Sequence, residues 1–231
     1  IDQAYNLGFG FTEIGSVTPI NQYGNKKPRI FRLKEDNAIV NRNGFNNQGM
    51  LRIKNRLKSY RRNSRNNSFL KLGINIGPNR DSLDMINDFK LLALELASYA
   101  DYISINVSSP NTSGLRDLQS EDQLGLVIKS VKEGLSLSLK NKKLEFPLFL
   151  KISPDISTRT LSKIIKKCVN EKVTGLIISN TTVKRPINLK SFHKNEVGGL
   201  SGEPLFKQST KILLKANEII KNINKNLFLI A

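Results

Sequence analysis

Tyr102-Ile103-Ser104-Ile105-Asn106-Val107-Ser108-Ser109-Pro110-Asn111 starts as an apolar, partly β-branched run and ends in amides and hydroxyls. The run predicts a strand over Tyr102–Val107 covered on both faces, with a polar loop at its carboxyl end. Similar strand patterns occur at Phe9–Val17, Leu70–Ile76, Pro147–Ile152, Gly175–Ser179 and Leu227–Ile230. Between them lie helical patterns at Asn47–Tyr60, Asp81–Tyr99, Glu121–Leu139, Ser157–Glu171 and Pro204–Ile223. In Asp81–Tyr99, Leu83, Ile86, Phe89, Leu92, Ala93 and Leu96 recur at three-and-four spacing and make one apolar stripe. Ser157 supplies an N-cap oxygen, and Pro204 sits where a missing N–H costs nothing.

Strict β-then-α alternation implies an α/β fold of parallel strands with right-handed crossovers. Two architectures satisfy it: an open doubly wound sheet and a (β/α)8 TIM barrel. About six strands are legible, against eight in a barrel. The chain opens on Ile1-Asp2-Gln3-Ala4 without an initiator Met and stops on the strand pattern Leu227–Ala231. We therefore expect a barrel fragment, a single domain over residues 1–231 that lacks its first and last strands. Residues 19–46 interrupt the alternation. There Pro28–Leu33 and Ala38–Asn41 flank the turn Lys34-Glu35-Asp36-Asn37, which predicts an antiparallel hairpin insertion over one barrel mouth.

A chain of 231 residues with 39% hydrophobic content buries roughly 70% of its extended surface and needs no staple. Its single cysteine, Cys168, excludes an intrachain disulfide. No apolar run approaches the roughly 20 residues that span a bilayer, and the start lacks the plan of a signal peptide. The net charge of +18 suits an anionic substrate, an anionic membrane or nucleic acid. Lysine and asparagine are spread along most of the chain, so solvated faces are the favoured explanation. Arg52, Lys54, Arg56, Lys58, Arg61, Arg62 and Arg65 crowd one helix and its exit, and we read them as a polar face.

In a βα barrel, chemistry collects at the carboxyl ends of the strands. Asn75 ends one strand here; Asn106, Ser108, Ser109 and Asn111 end the next. Lys151 follows Phe149-Leu150, and Ser179, Asn180, Thr181 and Thr182 follow Ile177-Ile178. Any one of these is an ordinary turn or cap residue. Together they suit a planar ligand with alternating carbonyl and N–H groups. A lysine ending a buried strand either snorkels to water or faces an anionic cofactor or developing enolate. The loop Asn106–Arg116 has the character of a lid. The sole histidine, His193, lies far away in a polar stretch, which argues against a serine triad. One Cys and one His give no metal cluster, so no metal is expected. Gly198-Gly199-Leu200-Ser201-Gly202, ahead of a helix, is a weak phosphate-loop signal that lets backbone approach a cofactor closely.

In this order, the motifs resemble the dihydroorotate dehydrogenases, specifically the membrane-associated quinone-reducing class. The segments are Gly15-Ser16-Val17-Thr18-Pro19, Gly24–Arg29, Asn41–Asn47, Gly73-Ile74-Asn75-Ile76-Gly77, Asn106–Arg116, Lys151–Asp155, Ser179–Thr182 and Gly198–Gly202. They cover nearly the whole chain.

The resemblance implies an FMN-containing (β/α)8 barrel that oxidises dihydroorotate to orotate in pyrimidine synthesis and passes electrons to a membrane quinone. It implies that Ser109 is the base, where the cytosolic class has cysteine. Asn41, Arg42, Asn43, Gly44, Phe45, Asn106, Asn111, Asn180 and Thr181 match substrate positions. Ser16, Asn75, Asn106, Lys151, Ser179 and Gly202 match FMN positions. Ser16 stands where threonine is usual, Ser153 where alanine is, and Ser113 where proline is. The family's lysine-bearing first strand, its membrane-associating helical segment and its FMN-phosphate loops have no counterpart within residues 1–231. Peripheral attachment to a bacterial cytoplasmic or mitochondrial inner membrane is implied, with no nucleic-acid partner. Two other readings remain: a dihydrouridine synthase-like FMN barrel acting on RNA, which needs a cysteine acid, and a non-enzymatic barrel remnant.

Overall fold

A computed structural model describes residues 1–63, 71–140, 145–223 and 225–231. The strands in chain order are β1 (Phe11–Val17), β2 (Ile30–Leu33), β3 (Ala38–Asn41), β4 (Lys71–Ile76), β5 (Tyr102–Asn106), β6 (Leu148–Ile152), β7 (Gly175–Ile178), β8 (Gly199–Gly202) and β9 (Phe228–Ile230). The helices are α1 (Asp2–Asn6), α2 (Met50–Asn63), α3 (Met85–Leu96), α4 (Glu121–Ser138), α5 (Thr158–Asn170) and α6 (Glu203–Asn222). Contacts divide the chain into two compact units. One comprises Ile1–Tyr23, Phe45–Asn106 and Leu126–Phe149; the other comprises Gly24–Gly44, Val107–Gly125 and Leu150–Ala231.

In the first unit β1, β4 and β5 lie side by side and parallel, with Ile14 opposite Ile74 and Ile74 opposite Ile103. Neighbours in space are successive parallel strands in sequence, without the reversal that marks a doubly wound sheet. Leu72, Ile74, Ile76, Ile103 and Ile105 are wholly buried, as continuous apolar strands require. Helix α3 buries Phe89, Leu92, Ala93 and Leu96, the expected stripe. Leu83, expected in that stripe, is fully exposed instead. Asp84 caps the helix by accepting the Asn87 N–H at 3.0 Å, so the helix begins after Leu83. Helix α2 also starts later than expected. Asn47 is held in the preceding loop, donating to the Phe45 carbonyl and accepting from the Gly49 N–H.

The basic face of α2 is partly paired. Lys54 meets Glu95 at 2.5 Å and Arg61 meets Asp101 at 2.8 Å, while Arg65 and Leu70 lie outside the described residues.

In the second unit β2 and β3 form the expected antiparallel hairpin, pairing Ile30 with Asn41 and Leu33 with Ala38. Asn37, at φ +47°, turns the chain, a conformation asparagine tolerates better than most residues. Phe31, Leu33, Ala38 and Val40 point inward onto Leu189 and Leu200. The glycine-rich segment Gly198–Gly202 departs from expectation. Rather than a loop, it forms β8, antiparallel to β3. A Cβ on Gly199 would stand 1.9 Å from the Thr181 hydroxyl, so glycine here serves a close approach of protein to protein. Parallel β7 and β9 and the end of β6 also belong to this unit, and α5 packs on α6.

Cys168 faces inward from α5 and is wholly buried, which pushes its thiol up to about 12. Native protein at pH 8 should therefore resist a thiol reagent and label stoichiometrically once unfolded. Rapid labelling of folded protein would refute that burial. A second outcome concerns Gly73, where a Cβ would fall 2.0 Å from the Tyr102 ring. That ring is held edge-on between Phe11 and Phe149, with centroids at 6.2 and 5.4 Å. Gly73→Ala should cost about 1–3 kcal/mol of unfolding free energy in denaturant titrations. Unchanged stability would show that the ring yields freely.

Candidate functional site

The carboxyl ends of β1, β4 and β5 bring three expected residues together in the first unit. Asn75 accepts a hydrogen bond from the Ser16 hydroxyl through Oδ1. Asn106 donates from Nδ2 to Ser16 Oγ at 3.0 Å and to Asn75 Oδ1 at 3.3 Å. Asn75 Nδ2 in turn donates to Glu13 Oε1 at 3.0 Å and to Ser104 Oγ at 3.3 Å. Both amides are buried, so these bonds fix which end of each carboxamide faces which way. Glu13 and Ser104 carried no signal in the sequence beyond their alternation along a strand. Burial, and then the Glu13 carboxylate, push the Tyr102 phenol above its ordinary range and keep it neutral. Phe45, at φ +53°, lays its ring over Gly77, where a Cβ would come within 2.7 Å of it.

The remaining expected residues belong to the second unit. Asn111 donates from Nδ2 to the Asn41 carbonyl at 3.2 Å and lies 3.4 Å from its Oδ1. Asn43 donates its backbone N–H to Asn41 Oδ1, and the Asn43 carbonyl accepts from the Asn25 N–H. Gly44 is buried beside them. Arg42 turns its guanidinium to Glu196 at 2.7 Å and over the Phe31 ring at 4.5 Å.

Ser109 is buried, and its Oγ accepts the backbone N–H of Asn111 at 3.3 Å. Asn180 donates from Nδ2 to Ser108 Oγ at 3.0 Å and accepts the Thr181 N–H at 2.7 Å. Ser179 donates its hydroxyl to the Asn180 carbonyl. Gly202 ends β8 on an exposed position at φ +94°.

Lys151 is half-buried on β6, and no ion pair among the described residues uses it. A cation partly withdrawn from water without a carboxylate is suited to an anionic ligand. The buried carboxamides bond to one another and to Ser16, Glu13 and Ser104 here, and a planar heterocycle with carbonyl and N–H edges would replace some of those partners. This donor set fits a flavin ring.

Two residues without an expected role anchor the loops of the second unit. Arg116 donates from Nε to the Ser108 carbonyl at 3.0 Å, from Nη1 to Asp155 at 3.0 Å, and from Nη2 to the Thr181 carbonyl at 3.1 Å. Asp155 also accepts from Thr182 Oγ1 at 2.5 Å, the Val183 N–H at 3.0 Å and Gln208 Nε2 at 3.1 Å. Burial alone would raise the Asp155 carboxyl. Hydrogen bonds from Thr182, Val183, Arg116 and Gln208 outweigh burial and hold it below the usual carboxylate value. The sequence offered only a faint signal, a lone arginine and a lone aspartate each just past a strand end.

Among the described residues no cluster of His, Cys, Asp and Glu could hold a metal.

The profile of the family described as Dihydroorotate dehydrogenase matches residues 1–231. A dihydroorotate dehydrogenase (quinone) of Bartonella tribocorum is 44% identical over 218 residues, 94% of this chain and 59% of that relative. Its namesake in Mesorhizobium japonicum is 42% identical over 219 residues, 95% of this chain and 58% of the relative. A crystal structure of DHODH from Eimeria tenella in complex with ferulenol matches with a TM-score of 0.87 at 38% identity. That match covers 96% of this chain and 63% of the Eimeria chain. The chain thus spans 58–63% of these proteins' lengths.

Of the two architectures the alternation allowed, the likeness to the Eimeria DHODH supports the (β/α)8 barrel, of which this chain carries a part. With a profile matched from end to end and relatives sharing more than two residues in five, the chain belongs to the dihydroorotate dehydrogenase family.

Proposed function

We propose that this chain carries substrate- and flavin-binding parts of a quinone-reducing dihydroorotate dehydrogenase acting in pyrimidine synthesis. The observation that carries the proposal is the buried pair of carboxamides, Asn75 and Asn106, bonded with Ser16 at the strand ends of the first unit. Support also comes from the relatives, whose printed name is dihydroorotate dehydrogenase (quinone).

The division of labour follows from chemistry. Asn41, Asn43, Asn111, Asn180, Thr181 and Asn106 bind the pyrimidine edge, because a carboxamide donates and accepts side by side. Gly44 and Phe45 belong to the same set. Arg42, with its guanidinium given to Glu196, contributes through its backbone. Ser109 takes the proton from C5 of dihydroorotate as the C5–C6 double bond forms, its own hydroxyl proton passing on through a relay of water or neighbouring threonine. Its Oγ already accepts the Asn111 N–H, which favours negative charge on that oxygen. A bound FMN would supply the hydride acceptor for C6 and the onward route of electrons to a quinone. Ser16, Asn75, Asn106, Lys151, Ser179 and Gly202 are assigned to the flavin by their match to the family's FMN positions. Lys151 supplies positive charge where negative charge gathers during the reaction.

The same assignment implies peripheral attachment to a quinone-bearing membrane, bacterial cytoplasmic or mitochondrial inner. No helix among the described residues is long and apolar enough to cross one. The RNA-directed alternative needs an acidic cysteine within reach of a base, whereas the Cys168 thiol is buried in α5. Pairing of Lys54 and Arg61 with carboxylates also weakens a nucleic-acid role for α2.

In the full-length protein, Ser109→Ala should slow bleaching of flavin absorbance by dihydroorotate about 10²–10⁴-fold, with flavin still bound. An unaltered rate would move the base elsewhere. Lys151→Ala should lower flavin content on purification or slow its bleaching. Normal values for both would leave Lys151 a solvated lysine.

A further inference from the structure

Each of the three nitrogens in the Arg116 guanidinium serves a different segment of the second unit. Nε holds the Ser108 carbonyl, directly before Ser109. Nη1 holds Asp155, after β6. Nη2 holds the Thr181 carbonyl, after β7. Asp155 extends the same set of bonds to Thr182, Val183 and, from α6, Gln208. Gln208 also donates to the Pro154 carbonyl at 2.7 Å.

The pair is mostly withdrawn from water, with side-chain exposures of 23% for Arg116 and 11% for Asp155. A planar, always-charged fork spreads its donors over three nitrogens in a fixed geometry, whereas the three donors of an ammonium radiate from one nitrogen on a flexible stem. Loop 107–116 and loop 179–183 are therefore both tied to one rigid group. The Asn180 bond to Ser108 Oγ is a second, weaker tie between the same loops.

We propose that Arg116 and Asp155 are positioning residues, a brace that sets Ser109 and Asn111 relative to Asn180 and Thr181. This rests on the assignment of those residues to substrate above. Neither member of the brace touches substrate in this scheme. Both act through the backbone of residues that do. Misplacement by about 1 Å can cost an enzyme roughly 100-fold, so the brace should appear in turnover before it appears in folding.

The test uses the full-length protein and three substitutions. Arg116→Lys keeps the charge opposite Asp155 but cannot reach the Ser108 and Thr181 carbonyls together. Thr182→Val removes one bond to Asp155 at constant shape, and Thr182→Ser keeps it. Thermal midpoint, bound flavin, kcat and KM for dihydroorotate, and backbone hydrogen exchange of residues 107–116 and 179–183 are measured on each.

Arg116→Lys should lower kcat about 10- to 100-fold while flavin stays bound. Thr182→Val should lower it less, and Thr182→Ser should restore it. Exchange in both loops should rise in Arg116→Lys and Thr182→Val. Wild-type kcat and exchange in Arg116→Lys would overturn the brace. So would activity lost only in step with the thermal midpoint, since that marks a merely structural ion pair. If the unsubstituted full-length protein fails to oxidise dihydroorotate, the functional assignment falls. The brace is then judged by exchange alone, and unchanged protection in both loops overturns it.

Discussion

Asp155 gives up most of its water, and the second unit is organised around replacing it. A carboxylate in that position accepts through two oxygens, and the protein supplies donors from Arg116, Thr182, Val183 and Gln208. The donors come from the loop after β5, the loop after β7 and helix α6. Satisfying one charge therefore fixes three segments at once. Removing one member of a buried ion pair costs about 3–5 kcal/mol, because the other is left charged and unpaired. That cost makes the arrangement all-or-none. The loops either take up the geometry that satisfies Asp155 or leave a charge stranded, and intermediate placements of Ser108 and Thr181 are disfavoured.

The first unit solves a related problem with neutral groups. Three successive strands end in Ser16, Asn75 and Asn106, and each side chain bonds to the other two. Glu13 and Ser104 take up the remaining Asn75 donors. Fully satisfied polar networks of this kind rigidify, whereas a half-satisfied one would cost more than an apolar core. Tyr102 adjoins the network, and its ring occupies the space that Gly73 leaves empty. A glycine in mid-strand is ordinarily a weakness. Here it admits an aromatic ring to the face beside the amides.

Much of this was legible because strands and helices leave periodic traces. The runs at Leu72–Ile76 and Tyr102–Asn106 carry Leu72, Ile74, Ile76, Ile103 and Ile105 into the core, and α3 repeats its apolar residues at helical spacing. Element ends were harder, since one side chain decides them. Asp84 moved the start of α3 past Leu83, and Asn47 delayed α2. The strand character of Gly199–Gly202 was hidden for a different reason. Four residues, two of them glycine, have no β propensity of their own, and only their pairing with β3 makes them a strand. The same holds for the Arg116–Asp155 pair, whose members are 39 residues apart. Polar strand ends could be found locally, but the group that ties them together could not.

The role of base proposed for Ser109 sharpens what its surroundings must do. A serine hydroxyl is a poor base at neutral pH, so its position has to supply what its chemistry lacks. The Asn111 N–H aimed at Oγ favours charge on the oxygen, and burial keeps water from competing for it. Neither helps unless Oγ is held at a fixed point, because proton transfer falls away steeply with distance. The residue before Ser109 is the one whose carbonyl Arg116 grips. In that proposed role a weak base makes a rigid loop a requirement, and the three-way Arg116 guanidinium is a direct means of meeting it.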